Sequence, residues 1–410
     1  TAVGETSSTY TTEPLTAQTY YRVAVTNGTS ATVYSDTATI IINQPSQAGT
    51  ASNDTTVCIS GSTVTLRLSG YTGTAIQWQQ SSASNGTYTN VSGSSTSATL
   101  VITNLQATTY YRAVVTNGPC LPASSNVVTV TVSALANGGT LSGGSTVCTG
   151  TNATLFTLSS YTTSVLRWEY STSRTFSSNV TAVVNTRDTF TAQNLTAKTY
   201  VRALVYNGAC SAYSNTDSVV VNAASVGGTL NGSTTVCISS NSTTLNLNGN
   251  VGSVVRWQSA EDLNFTTNLT NIASTATSNT FSALTKTTYY RAIVKNGVCD
   301  SAFSSAATIT VSDTAVGGTM SPSTNVCRTS NSTLLSVSGN NGVITKWQYA
   351  TTSSFASPID ISSTLNQNIN SYTASGLTVT TYYRALINNG ACTAYTNTAT
   401  LTVDSSSVGG

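Results

Sequence analysis

Histidine is absent from all 410 residues. With it go the commonest acid–base group at neutral pH and the commonest metal ligand. Charge is almost absent too. Asp, Glu, Lys and Arg make up 7% of the chain, with a net of +2. That leaves no basic field for nucleic acid and no acidic field for cations. No apolar run reaches the length of a membrane span, and no basic–apolar signal segment opens the chain. What is present is Ser, Thr and Asn in quantity, beside Val, Leu, Ile and Tyr. This mixture suits polar-faced β-sheets better than helices, and a 410-residue chain is too long for one core.

The chain repeats itself. Cysteines stand at 58, 148, 237 and 327, in steps of 90, 89 and 90 residues, and a second series stands at 120, 210, 299 and 392. Trp78, Trp168, Trp257 and Trp347 each follow the first cysteine of their copy by 20 residues. The expected divisions are 48–137, 138–226, 227–316 and 317–410, the last ending in the start of a further unit at Gly409 and Gly410. Residues 1–47 match only the second half of a copy, with Tyr20, Tyr21, Arg22, Asn27 and Gly28 aligned to Tyr110, Tyr111, Arg112, Asn117 and Gly118. A half sandwich is not stable alone, so this pattern reads as a segment of a longer array or as a domain completed by another chain.

Strand-like runs such as VTLRL (63–67), AIQWQ (75–79) and TYYRAVVT (109–116), divided by Gly and Asn turns, give the fold class: all-β, a tandem, elongated array of immunoglobulin-like sandwiches. Alternation assigns two faces to the recurring phrase YYRAVVTNGPC. Tyr111, Ala113 and Val115 face the core, where the small alanine leaves room for Trp78; Trp168, Trp257 and Trp347 repeat that contact. Arg112, Arg202, Arg291 and Arg384 face outward, the stem lying on the sheet and the head reaching water or a carbonyl. Tyr110, Tyr200, Tyr289 and Tyr382 stand where a tyrosine corner would close the connection, and the Asn-Gly pair forms a tight turn.

Eight cysteines without a Cys-x-x-Cys pair or histidine point to disulfides rather than to metal. Two maps compete. Pairing within each copy gives Cys58–Cys120, Cys148–Cys210, Cys237–Cys299 and Cys327–Cys392, and this simpler map is the expected one. Ordinary sandwich topology, however, puts those points at opposite ends, whereas linked Cα atoms lie within about 7 Å. The staggered map, Cys58–Cys210, Cys148–Cys299 and Cys237–Cys392, leaves Cys120 and Cys327 for partners elsewhere.

GGTLSGGSTVCTG, the TLFTL strand, the single tryptophan, LTAKTYVRALV and NGAC resemble the immunoglobulin-like repeats of large Bacteroidota cell-surface proteins, of the gliding-motility adhesin class. The resemblance covers essentially the whole chain. It implies export by type IX secretion, an extracellular, outer-membrane-associated location, and O-glycosylation at Asp-Ser/Thr-x motifs. On this chain those motifs mark Thr37, Thr55, Ser218, Ser301 and Thr314; Asp188-Thr189-Phe190 departs from the pattern.

The leading functional expectation is a structural stalk or fibre segment of such an adhesin or filament, with self-association or other fibre subunits as partners. An array of glycan-binding modules is the alternative, with glycans or abiotic surfaces as targets. No cofactor, metal, nucleic acid or membrane insertion is expected. Nor is catalysis: Glu169 and Glu261 have no matching carboxylate in the other copies, and serine lacks a histidine partner.

Overall fold

The computed structural model describes residues 1–93, 97–321, 323–328 and 330–404, so Gly409 and Gly410 lie outside the described residues. The chain divides into two compact units: Thr1–Gly144, Thr154–Ala192 and Thr199–Ser218 in one, and Ser145–Ala153, Gln193–Lys198 and Val219–Gly410 in the other. Both are built of strands. A 3-10 turn at Ser362–Thr364 is the one helical element among the described residues.

Residues 227–316, in the second unit, show the plan. One sheet has three strands, ordered Thr229–Asn231, Ser242–Asn248, Ser278–Ser282. The other is ordered Thr234–Cys237, Ala307–Ser312, Thr288–Lys295, Ser253–Ala260, Thr270–Ile272, with Ala302–Phe303 also paired to Thr288–Lys295. Residues 48–137, in the first unit, have the same strand order. Two devices were not evident from the sequence. The chain switches sheets early, so that Thr234–Cys237 runs parallel to the last strand, with Cys237 opposite Ser312. Buried hydroxyls at Ser125, Ser214, Ser304 and Thr396 accept the backbone N–H of Ala113, Ala203, Ala292 and Ala385, satisfying a donor where the ladder is interrupted.

The core follows the alternation. In Thr63–Ser69, Val64, Leu66 and Leu68 are buried and the residues between are exposed. All four tryptophans are 0% exposed. Each stands directly opposite the small alanine of the neighbouring strand: Trp78–Ala113, Trp168–Ala203, Trp257–Ala292 and Trp347–Ala385. Each indole N–H donates to a carbonyl, of Ser97, Arg187, Ala276 and Ile369. The large ring therefore gains its burial without an orphaned donor.

The glycine pairs 227–228 and 317–318 have a specific task within their own repeats. A Cβ on Gly227 would strike the Phe303 carbonyl, and Gly228 has φ +76° with the Asn248 carbonyl against it. Only glycine fits both the close approach and the left-handed backbone.

Residues 1–47 form two short antiparallel pairs, Thr19–Tyr21 with Ala38–Ile40 and Ala24–Val25 with Val33–Tyr34. Val23 and Val25 are 61% and 60% exposed, whereas the matching Ala113 and Val115 are fully buried.

Candidate functional site

Two recurring constellations lie outside the cores. The first is at the cysteines. Disulfides join Cys58 to Cys210, Cys148 to Cys299 and Cys237 to Cys392, with Cα atoms 4.9, 4.9 and 4.8 Å apart. Cys120 and Cys327 are free. The pairing within each copy is therefore corrected to the staggered one, so Cys58 does not bond Cys120 and Cys327 does not bond Cys392. The parallel strand supplies the physical reason. It carries the first cysteine to the end of the repeat where the last strand leaves, Cys58 opposite Ser133 and Cys237 opposite Ser312. The second cysteine of the next copy arrives there on its Asn-Gly hairpin.

That hairpin is a docking element. Asn207 donates its side-chain amide to the Ala134 carbonyl, Ala209 N–H donates to Ser133 Oγ at 3.0 Å, and the Cys210 sulfur lies 3.3 Å from the Ser133 carbonyl oxygen. The pattern returns at Asn296 on Ala223 and Ser225, and at Asn389 on Asp313 with Ala391 on Ser312. It also occurs without a disulfide. Asn117 bonds Gln44 and Ser46, and the Cys120 thiol donates toward the Gln44 carbonyl at 3.4 Å. Gly208, Gly297 and Gly390 have φ of +60°, +55° and +61°, and a Cβ there would strike Ser133, Asn222 and Ser312. The sequence places this turn at a hairpin tip; the structure adds that the tip is an interface.

The second constellation surrounds the arginines. Their heads are not left to water. Arg291 lies between Phe265 and Phe303, at 4.1 and 3.9 Å from the ring centres, and its Nε donates to Gln258 at 2.8 Å. Arg202 lies between Phe176 and Tyr213, and Arg384 between Phe355 and Tyr395. Arg112 has Tyr88 on one face. Phe176, Phe265 and Phe355 hold φ of +54°, +60° and +50°, an uncommon region for a bulky side chain. Stacking on the guanidinium helps hold them there.

The sequence carried a signal for this clamp: these phenylalanines each follow the tryptophan by eight residues. Gly86 interrupts that signal eight residues after Trp78, where Tyr88 supplies the ring instead. Replacing Arg291 with Lys removes the flat stack and the Nε bond. The expected loss is about 1–2 kcal/mol, measured by urea denaturation of R291K; an unchanged midpoint contradicts the clamp.

One clamp contains a buried charge. Glu169 stands where the other copies have Gln79, Gln258 and Gln348. It is paired to Arg202 at 2.7 Å and to Arg167 at 2.8 Å. Burial pushes its carboxyl up, but hydrogen bonds from Arg202 and Arg167 outweigh this and hold it below its ordinary value. Burial also pushes the Tyr383 hydroxyl up to about 12, with Tyr372 and Tyr349 adding to the shift.

The motif residues divide by environment. Thr37, Ser301 and Thr314 are exposed, whereas Thr55 and Ser218 are half-buried in strands. There the aspartates serve the fold: Asp54 accepts the Thr129 N–H, and Asp217 accepts the N–H groups of Gly144 and Ser218. No group of three His, Cys, Asp or Glu among the described residues could hold a metal ion. No helix among them is long and apolar enough to cross a membrane.

A family described as "Domain of unknown function (DUF8696)" matches five times, over residues 1–44, 47–134, 137–223, 226–313 and 316–405. No curated protein matches the chain. Solved structures that match include Sidekick-1 immunoglobulin domains 1-5, at 12% identity over 88% of this chain and 80% of that one, with a TM-score of 0.25. The chicken CNTN1 FN1-FN3 domains match at 12% identity over 65% of this chain and 97% of that one, with a TM-score of 0.22.

Proposed function

Since this chain belongs to the DUF8696 domain family, with five matches along its length, we propose that it is a structural stalk or fibre segment of a bacterial cell-surface adhesin or filament. The observation that carries this reading is the repeated joint. Each of three disulfides ties one repeat to the hairpin of the next, which suits serial units held in line under load. Disulfides of this kind suit a secreted or extracellular chain. The finer reading follows the sequence resemblance: a Bacteroidota surface protein of the gliding-motility type, exported by type IX secretion and held at the outer membrane. Other fibre subunits would be its partners, and Thr37, Ser301 and Thr314 are the exposed candidates for O-glycans. Labelling intact source cells with an antibody to the chain tests this. The proposal expects surface label along filaments; label seen only after permeabilisation contradicts it.

A second reading has one observation in its favour. Tyr213, Phe303 and Tyr395 are 43%, 55% and 46% exposed while stacked on their arginines. Such a recurring ring could stack on sugars, so a glycan array probed with the chain separates the two readings. Binding abolished by F303A would favour recognition over an inert spacer.

A further inference from the structure

The three disulfides overlap in sequence, and their order has a mechanical consequence that goes beyond the stalk reading. Cys58 is bonded to Cys210, and Cys237 to Cys392. Between Cys210 and Cys237 lie only 27 residue steps. A load entering at Cys58 therefore crosses one disulfide, follows those 27 steps and crosses a second disulfide to Cys392. By sequence alone the two ends are 334 steps apart. We infer that the segment from Cys210 to Cys237 is a covalent tendon that fixes the maximum distance between Cys58 and Cys392, whether or not the repeats remain folded.

A fully extended residue spans about 3.3–3.6 Å. The tendon thus caps the distance between Cys58 and Cys392 near 100 Å, against about 1,100–1,200 Å for the uncrosslinked chain. The tendon contains the strands Cys210–Tyr213, Asp217–Asn222, Thr229–Asn231 and Thr234–Cys237. Trp168 and Trp257, with the strands that carry them, hang outside this shortest path. Cys148–Cys299 is a reserve. If the tendon is cut, the shortest remaining route runs from Cys210 back to Cys148 and from Cys299 back to Cys237, a total of 124 steps. It follows that one backbone cut anywhere between Cys58 and Cys392 leaves a single covalent molecule. Reduction removes the cap: a reductant thiolate attacks a disulfide sulfur, one cysteine leaves as thiolate, and a mixed disulfide forms that a second thiolate resolves.

The test is single-molecule stretching of the full chain by fused handles at its two ends, with free thiols alkylated beforehand without reduction. Between Cys58 and Cys392 the oxidised chain should yield no more than 27 residues of contour. A thiol reductant should then release the remaining 307, about 1,000–1,100 Å. C58S should raise the oxidised limit to 152 residues, whereas C148S should leave it at 27. An oxidised limit of 83 residues, the value for bonds closed within each repeat, would overturn the inference, as would full extension without reductant. Limited proteolysis gives an independent readout of covalent continuity. A chain cut once between Cys58 and Cys392 should run intact without reductant and separate with it; separation without reductant contradicts the ring order.

Discussion

Trp257→Ala is expected to cost its repeat about 3–5 kcal/mol, the usual penalty for emptying a buried indole site. The ring is 0% exposed, lies opposite Ala292 and packs near Phe281, with ring centres 6.1 Å apart. Its N–H donates to the Ala276 carbonyl at 2.9 Å, so truncation also strands an acceptor beside the cavity. A domain of this size is stable by only about 5–13 kcal/mol. The loss is therefore a large share of the total, and the small alanine opposite cannot fill the space. Amide exchange is the suitable measurement, because deleting the tryptophan also removes that repeat's fluorescence reporter. Protection across Thr288–Lys295 should fall by about two to three and a half decades, while the strands around Trp78 keep theirs. A fall of less than tenfold would show that the indole is not central to the core.

Glu169→Ala should cost about 2–3 kcal/mol, in the range of hydrogen bonds to charged groups. The carboxylate side chain is 4% exposed and serves two arginines. Arg167 is 36% exposed and can turn to water, so most of the loss belongs to Arg202, at 20%. Glu169→Gln should be much milder. Glutamine fills this position in the other three complete repeats and accepts from the arginine Nε in each. The pH dependence has a definite sign. The folded carboxyl is held below its ordinary value of 4.5. Its contribution is therefore present above that value and lost as pH falls through the depressed folded value. Urea midpoints taken from pH 6 downward should show an acid loss in the parent that is smaller in E169Q. Equal acid loss in both proteins would remove Glu169 from the account.

The parts of this molecule that were legible in its sequence are those set by local periodicity. The 90-residue step, the alternation in Thr63–Ser69 and the alanine opposite tryptophan all follow from side-chain direction and size. The disulfide map was not legible in the same way. Spacing says how far apart two cysteines are along the chain, not which end of a sandwich each reaches. That depends on the switch of Thr234–Cys237 to a parallel place beside Ala307–Ser312, which no local pattern encodes. Strand direction leaves both maps open, and the staggered bonds are the ones that place linked Cα atoms within reach. The arginines were half legible. Their outward face follows from alternation, but the enclosing rings come from two other segments, one of them on an irregular turn. The glycine pair visibly recurs in the sequence. Its close approach to the Phe303 and Asn248 carbonyls needed the folded backbone.

The repeats are bonded to one another and not closed individually. Peptide mapping of the unreduced, alkylated protein reads this bonding. Linked fragments should carry Cys58 with Cys210, Cys148 with Cys299 and Cys237 with Cys392, and alkyl groups should stand on Cys120 and Cys327. Fragments linking Cys148 to Cys210, or Cys237 to Cys299, would contradict it.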